Sequence, residues 1–262
     1  MSAYYNEFEP FAAQWLRNLI AAGHIPDGEV DGRSIVDVRP ADLAGFRQCH
    51  FFAGIGGWPL ALALAGWPAE REVWTGSCPC QPFSTAGKRK GTGDERHLWP
   101  EWYRLISKCR PAIIFGEQVP SAIAHGWLDL VCDDLEGEGY AIGAVIAPAV
   151  SVGAPHIRDR LWFVADANGQ GEHGRAIHAE VAAVSQSVAD ADASGSPLGR
   201  EPLLLVERQA ALRSGGWPPE PPLGRVVAHG VPGRVGRLRA YGNAIVPQVA
   251  AEVIGAFMEC RP

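Results

Sequence analysis

The chain has 262 residues, 47% of them hydrophobic, which is enough for one α/β domain with a small appendage rather than for two full domains. Its net charge of −6 argues against a protein that binds a polyanion over its whole surface. No apolar run is long enough to span a bilayer, and the N-terminus, with Glu7 and Glu9, lacks the pattern of a signal peptide, so we expect a cytoplasmic protein. The six scattered cysteines are typical of reduced thiols, and their spacing predicts no metal site.

Predicted strands and helices alternate along residues 1–165. In chain order they are a helix at 11–22, strands at 34–38 and 49–53, a helix at 59–65, a strand at 72–75, a helix at 98–108, a strand at 111–116, a helix at 122–135, and strands at 140–149 and 161–165. This alternation favours an α/β fold with a doubly wound, mostly parallel sheet. Residues 166–216, rich in Ala, Gly, Ser and Asp, read as a loop-rich insertion, and residues 217–262 return to the first domain and end in a helix at 249–258.

Two loops follow predicted strands and carry candidate functional residues. The first, Phe52-Ala53-Gly54-Ile55-Gly56-Gly57, leads from a strand into a helix, which is how proteins grip nucleotide-type cofactors, although one such loop is a weak signal. The second, Pro79-Cys80-Gln81-Pro82-Phe83-Ser84, places a thiol at the carboxyl end of a strand. A lone cysteine is more often an inert small hydrophobe than a nucleophile, so Cys80 needs support from other motifs.

The charge distribution allows a local basic surface on this acidic protein. No acidic residue occurs between Pro221 and Ala251, a stretch that contains four arginines, namely Arg225, Arg234, Arg237 and Arg239. Such a surface is compatible with phosphate binding. Charge alone supports a solvated mixed surface equally well.

Six segments, taken in order, resemble the motifs of the DNA (cytosine-C5) methyltransferases. They are residues 52–57, 79–84, 94–99, 117–119, 156–160 and 242–247. The resemblance implies a fold of the S-adenosylmethionine-dependent, Rossmann-like kind, encoded by a bacterium or a phage. It also implies that residues 166–216 form a short target-recognition region.

The resemblance assigns the chemistry to four residues. Cys80 adds to C6 of a flipped-out cytosine, because C5 becomes nucleophilic only once the ring has lost its aromaticity. Glu117 supplies a proton at N3 if burial raises its pKa. Arg160 holds the cytosine O2 and orients Glu117, and Arg158 contacts phosphate or the same pocket.

Binding roles follow from the same resemblance. The cofactor S-adenosyl-L-methionine would contact residues of three of these segments, namely Phe52, Gly54, Gly56, Gly57, Pro79, Asn243 and Ala244. Double-stranded DNA would contact Gln81, Ser84, Arg225, Arg234, Arg237 and Arg239. The resemblance implies no metal and no membrane, and it leaves the oligomeric state open.

Two cofactor segments that the family places between the glycine loop and the cysteine loop are missing there, because only about two dozen residues separate Gly57 from Cys80. Residues 5–12 resemble the missing ribose-binding segment, with Glu7 for the ribose hydroxyls and Phe8 on the adenine. Residues 32–38 resemble the adenine-binding segment, with Ile35 on the other adenine face and Ser34 where the family has an acid. We therefore expect a permuted order, in which the family's second and third strands precede its first strand in the chain. A linker at 39–48 would then lead from the third strand to the first and pass the second, which lies between them.

Three alternatives remain open from the sequence. A catalytically inactive relative could bind DNA or cofactor, although the intact Cys80, Glu117 and Arg160 argue against it. RNA could replace DNA as the substrate. An unrelated nucleotide-dependent oxidoreductase would use the glycine loop but predicts nothing about Cys80.

Overall fold

The computed structural model of the protein describes residues 3–79, 98–169 and 242–260. Seven strands are present in these ranges: β1 (Ala3–Asn6), β2 (Gly28–Asp31), β3 (Gln48–Phe51), β4 (Val73–Gly76), β5 (Ile113–Gln118), β6 (Ala141–Pro148) and β7 (Asp159–Asp166). The same ranges contain five α-helices: α1 (Pro10–Ala21), α2 (Gly57–Leu64), α3 (Trp99–Cys109), α4 (Trp127–Gly137) and α5 (Pro247–Cys260). No helix within them is long and apolar enough to cross a membrane.

The strands form a single sheet in the order β2-β1-β3-β4-β5-β7-β6. Neighbours from β2 to β5 run parallel, whereas β7 runs antiparallel to both β5 and β6. This arrangement confirms the predicted doubly wound, mostly parallel sheet.

Successive side chains of the strands point to opposite faces of the sheet, and each face is covered by helices. On one face Phe51 and Ile114 belong to a buried cluster that includes the apolar residues of α3 and α4. On the other face Phe115 and Trp162 belong to a cluster with α2 and α5. Leu16 of α1 packs under the strand β1 in a third, smaller cluster. The sheet is therefore a buried middle layer, and its carboxyl edge remains for a ligand.

The prediction of a strand at 34–38 is wrong. The strand is β2, and Ile35–Asp37 forms a single 3₁₀ turn after it. Asp31, the last residue of β2, accepts hydrogen bonds from the Tyr4 hydroxyl (2.6 Å) and from the backbone N–H of Arg33 (2.9 Å). These bonds turn the chain out of the sheet, so Ile35 and Val38 pack in the core and Val36 is exposed, instead of all three pairing in a strand.

The linker between β2 and β3 passes β1, which lies between them, as the sequence predicts. Arg104 of α3 holds this linker, because its Nη2 donates to the carbonyls of Ile35 (3.3 Å) and Val38 (3.0 Å). A second 3₁₀ turn, Pro40–Leu43, follows. The order of the strands in space thus agrees with the expectation, whereas its origin as a permutation of the family's chain order stays a proposal.

The remaining predicted elements are present, with one change in the helix expected at 122–135. That segment starts as a 3₁₀ helix, Pro120–His125, and α4 begins only after Gly126. The backbone φ of Gly126 is +70°, a left-handed conformation that glycine adopts without a steric penalty and that ends the first helix.

Candidate active site

The carboxyl ends of β1 and β3 define a crevice at the edge of the sheet. From β1 the chain goes to β2 at the sheet's edge, whereas from β3 it goes to β4 on the opposite side. Ligands of open α/β sheets bind where the chain changes direction in this way. Glu7 directly follows β1, and the glycine loop (residues 52–57) directly follows β3. The structure therefore brings two of the predicted cofactor segments to one place.

Glu7 is bonded to the glycine loop. Its Oε2 accepts a hydrogen bond from the backbone N–H of Gly54 (2.7 Å), and its Oε1 accepts one from the N–H of Glu9 (2.8 Å). Burial raises the pKa of Glu7 above the ordinary value of a carboxyl, and these two bonds oppose that rise. A carboxylate offers about four acceptor positions, so Glu7 can still accept bonds from ligand hydroxyls.

The glycines of the loop serve different purposes. Gly54 and Gly56 have φ values of +56° and +86°, the left-handed region in which a side chain would be strained. Gly57 instead allows a close approach, because a Cβ atom there would lie 2.6 Å from Cγ1 of Ile245. This glycine packs against the segment before α5, a role the motif did not predict. Phe52 also has a positive φ, +51°, which is uncommon for an aromatic residue.

The two residues predicted to hold an adenine differ in exposure. Phe8 is 71% exposed, so its ring is open to a planar ligand beside Glu7. Ile35 is only 3% exposed and belongs to the core cluster with α3, so it offers much less surface than expected. Ser34, which precedes it, is partly buried and makes no capping hydrogen bond to the turn. The predicted roles of these residues stay predictions.

The candidate catalytic residues lie at the same edge of the sheet, on β4 and β5. Gly76 ends β4 and pairs with Gly116 of β5. Glu117 comes next on β5, one residue before the end of the strand, and pairs with Trp162 of β7. The segment after β4 leads through Pro79 to Cys80, which lies outside the described residues. The described start of the loop lies beside β5, because Gln118 bonds the Cys78 carbonyl.

Glu117 is a buried carboxylate, 8% exposed, with donors from two elements. Arg160 of β7 approaches it with an Nε–Oε1 distance of 2.7 Å, and Ser77, which follows Gly76, lies beside it across the β4–β5 pair with a hydroxyl that stabilises the carboxylate. Burial raises the pKa of Glu117, and the positive charges of Arg160 and Arg158 reduce this rise without cancelling it. The arrangement fits a carboxyl group that carries and delivers a proton.

Gln118, next to Glu117, ties the start of the cysteine loop to β5. Its Nε2 donates to the carbonyl of Cys78 (3.2 Å), and its Oε1 accepts from the N–H of Val119 (2.9 Å). Both side-chain groups of this buried amide are therefore used to hold backbone. The motif at 117–119 did not predict this contact.

Arg158 has partners other than those predicted. Its Nη2 donates to the carbonyls of Gly242 (2.9 Å) and Ala244 (2.8 Å), whereas the predicted contact with phosphate or the cytosine pocket stays a prediction. Gly242 lies in a helical turn and Ala244 in the non-helical residues between that turn and α5, so their carbonyls need donors from elsewhere in the molecule. Burial and the neighbouring Arg160 lower the pKa of Arg158. The structure thus makes Arg158 a support for the segment that holds Asn243, Ala244 and Ile245.

Replacing Arg158 by Ala should loosen the segment at 242–246. We expect faster amide hydrogen exchange at the start of α5, because two carbonyls lose a charged donor worth about 1.5–3 kcal/mol per bond. Hydrogen exchange followed by mass spectrometry measures this. Arg17→Ala is the matched control, since Arg17 also bonds a carbonyl, that of Val30 (3.2 Å), but far from α5. Equal exchange at α5 in both variants would contradict the support role.

Several predicted site residues lie outside the described ranges. They are Cys80, Gln81, Ser84, Arg225, Arg234, Arg237 and Arg239. Residues 170–241, which include most of the predicted target-recognition region, lie outside as well. In the described part of the chain, no three His, Cys, Asp or Glu side chains are grouped so that they could hold a metal ion.

The fold and the site define an α/β protein in which the Glu7–glycine-loop contact and the buried carboxylate of Glu117 lie at the carboxyl ends of the parallel strands. Residues 67–193, just under half of the chain, match the model of the family described as C-5 cytosine-specific DNA methylase, in agreement with the resemblance of the motifs. This match begins after the glycine loop, so the assignment of residues 5–12 and 32–38 as displaced cofactor segments does not rest on it.

Curated relatives carry related names. The chain is 24% identical over 169 residues to the type II methyltransferase M.HhaI of Haemophilus parahaemolyticus, an alignment covering 50% of this chain and 52% of that protein. It is 33% identical over 96 residues to M.AplI of Arthrospira platensis, covering 36% of this chain and 28% of the relative. The chain thus spans about half the length, or less, of these relatives. A solved structure, the Dnmt2 methyltransferase of S. pombe, is 16% identical with a TM-score of 0.42, covering 66% of this chain and 53% of that one.

Proposed function

We propose that the protein is a DNA cytosine-C5 methyltransferase that uses S-adenosyl-L-methionine and acts on double-stranded DNA. The observation that carries the proposal is the buried Glu117–Arg160 pair at the carboxyl edge of the sheet, beside the loop that leads to Cys80. The family match over residues 67–193 and the names of the relatives support the same conclusion.

In the proposed reaction Cys80 and Glu117 activate the base together. The Cys80 thiolate forms a bond to C6 of cytosine, and Glu117 gives its proton to N3, so that the ring becomes an electron-rich enamine. Arg160 uses Nε for Glu117 and Nη1 for the Asp159 carbonyl (2.7 Å), so we assign Nη2 as the donor to cytosine O2. S-adenosyl-L-methionine, when bound, supplies the methyl group to C5. A base then removes the C5 proton, the C6–sulfur bond breaks to release the Cys80 thiolate, and N3 returns its proton to Glu117.

The cofactor crevice fits a nucleoside. Glu7 retains acceptor positions for ribose hydroxyls, and the exposed ring of Phe8 can lie on an adenine. We propose that residues 5–12 and 32–38 are the family's ribose- and adenine-binding segments moved to the N-terminus. Ser34 would accept or donate one hydrogen bond where the family uses an acid.

The proposed DNA contacts lie on residues outside the described ranges. A pocket built around a single cytosine requires the base to leave the duplex. Gln81 and Ser84 would contact DNA near the flipped base, and the four arginines at 225–239 would contact phosphates. Residues 166–216 would recognise the target sequence. We place this activity, without a metal ion, in the cytoplasm of a bacterium, as part of a type II restriction–modification system like those of the relatives.

A trapping experiment tests the proposal. Duplexes of diverse sequence with 5-fluorocytosine at many sites are incubated with the protein and S-adenosyl-L-methionine. Because fluorine at C5 blocks the final elimination, a covalent protein–DNA adduct that survives denaturing electrophoresis is expected. Cys80→Ala should form none, whereas Cys260→Ala, which removes an exposed thiol, should form as much as the wild type. No adduct on any duplex would reject the DNA reaction, and an adduct only on the matching RNA pool would change the substrate.

A further inference from the structure

Ser77 links α2, the helix that follows the glycine loop, to Glu117. The indole Nε1–H of Trp58 donates to Oγ of Ser77 (3.1 Å). Ser77 follows Gly76, which pairs with Gly116, so it lies beside Glu117 across the β4–β5 pair, and its hydroxyl stabilises the charged form of the Glu117 carboxyl group. Trp58 is the second residue of α2 and is 2% exposed. Its ring is perpendicular to that of Trp162 on β7, with centroids 5.7 Å apart. The indole is therefore held in place by packing.

The chemistry of these groups sets the direction of both hydrogen bonds. An indole N–H can only donate, so Ser77 must be the acceptor in its bond with Trp58. The single hydroxyl proton of Ser77 is then available for Glu117. Because Trp58 occupies one lone pair of Oγ, rotation of the hydroxyl away from the carboxylate is disfavoured.

Glu117 is consequently held between two donors from different elements. Arg160 approaches from β7 through Nε, and Ser77 from the loop after β4. We propose that Ser77 is a positioning residue for Glu117 and that Trp58 orients the Ser77 hydroxyl. The proposal rests on the proposed function, in which Glu117 protonates the cytosine N3. According to this proposal, the first turn of α2 helps to hold the catalytic carboxyl group in place.

A titration that needs no substrate tests the hydrogen bond. Ser77→Ala removes a donor that stabilises the charged carboxylate, so the pKa of Glu117 should rise above its wild-type value. The side-chain carboxyl signal in ¹³C-glutamate-labelled protein, assigned by its loss in Glu117→Gln, reports that pKa. Ser77→Thr keeps a hydroxyl and should restore the wild-type titration. The charged groups that face Glu117, Arg158 and Arg160, are the same in all these proteins.

Ser151→Ala is the matched control for the titration, since it removes a hydroxyl bonded to the Pro148 carbonyl (2.7 Å). It should leave the Glu117 titration unchanged. An unchanged titration in Ser77→Ala would overturn the proposal, whatever the activity of the protein.

Steady-state kinetics test whether the contacts of Ser77 with Trp58 and Glu117 contribute to catalysis. Ser77→Ala should lower kcat about tenfold, the usual order for losing a hydrogen bond to a charged group, with little change in KM. The limb of the pH profile that reports loss of the Glu117 proton should move to higher pH. Trp58→Phe alone should lower kcat by part of the Ser77→Ala effect. Added to Ser77→Ala, it should lower kcat no further.

If Ser77→Ala and Trp58→Phe lower kcat additively, Trp58 does not act through Ser77, and its orienting role is overturned. A shifted titration in Ser77→Ala, combined with no methyl transfer by the wild type on any nucleic acid, would reject the proposed function and with it the catalytic role of Ser77. The two failures are therefore distinguishable.

Discussion

Glu117→Gln should lower methyl transfer by about 10²–10⁴-fold, the usual contribution of a general acid. The amide has the size of the carboxyl group and can still accept bonds from Arg160 and Ser77, but it cannot give a proton to N3 of cytosine. Single-turnover transfer of a labelled methyl group to duplex DNA measures the effect. Cofactor affinity should stay within a factor of about two, because Glu117 lies outside the Glu7 crevice.

The pH dependence of methyl transfer by the wild type also tests whether Glu117 acts as an acid. Burial raises the pKa of Glu117, so the protonated form persists to higher pH than in an ordinary carboxyl group. Methyl transfer should therefore fall as the pH rises through this raised pKa, and that limb should be absent from the residual activity of Glu117→Gln. Glu101→Gln is the matched control, because Glu101 also pairs with an arginine, Arg104 (3.0 Å), but on α3. Full activity in Glu117→Gln would reject the acid role.

Sequence patterns predicted those parts of the site that depend on local chemistry. The glycine loop was recognisable because left-handed backbone at Gly54 and Gly56 needs glycine. Glu117 was recognisable because it follows a buried apolar strand segment within a family motif. The strand at 34–38 was wrong because β-branched residues favour a strand, whereas the bonds to Asp31 decide where the chain leaves the sheet.

Other features depend on contacts between distant segments and could not be predicted from local patterns. Arg158 matches a motif, but its partners are carbonyls of Gly242 and Ala244, more than 80 positions away in the chain. Ser77 carried no signal, because a serine before a cysteine loop has many neutral explanations. Its role becomes visible only when Trp58 and Glu117 are placed on either side of it by α2 and β5.

The second large effect that we expect is a loss of cofactor affinity when Glu7, in the N-terminal segment, is replaced. Glu7→Ala should weaken binding of S-adenosyl-L-methionine by about tenfold to a hundredfold, because bonds from hydroxyls to a charged acceptor are worth about 1.5–3 kcal/mol each. The substitution also removes the acceptor for the Gly54 N–H, which adds to the loss. Isothermal calorimetry of the protein with the cofactor measures the change without requiring DNA.

The neighbouring Glu9 separates a ligand role from a structural one. Its Oε2 caps α1 by accepting from the Ala12 N–H (2.8 Å), so Glu9→Ala should cost about 1 kcal/mol of stability and leave cofactor affinity nearly unchanged. Because burial raises the pKa of Glu7, affinity in the wild type should decline at a higher pH on acidification than an ordinary carboxylate would allow. Glu7→Ala should lack that decline. If both variants bind the cofactor like the wild type, the N-terminal segment is an unrelated cap, and the displaced ribose site is rejected while the Glu117 chemistry stands.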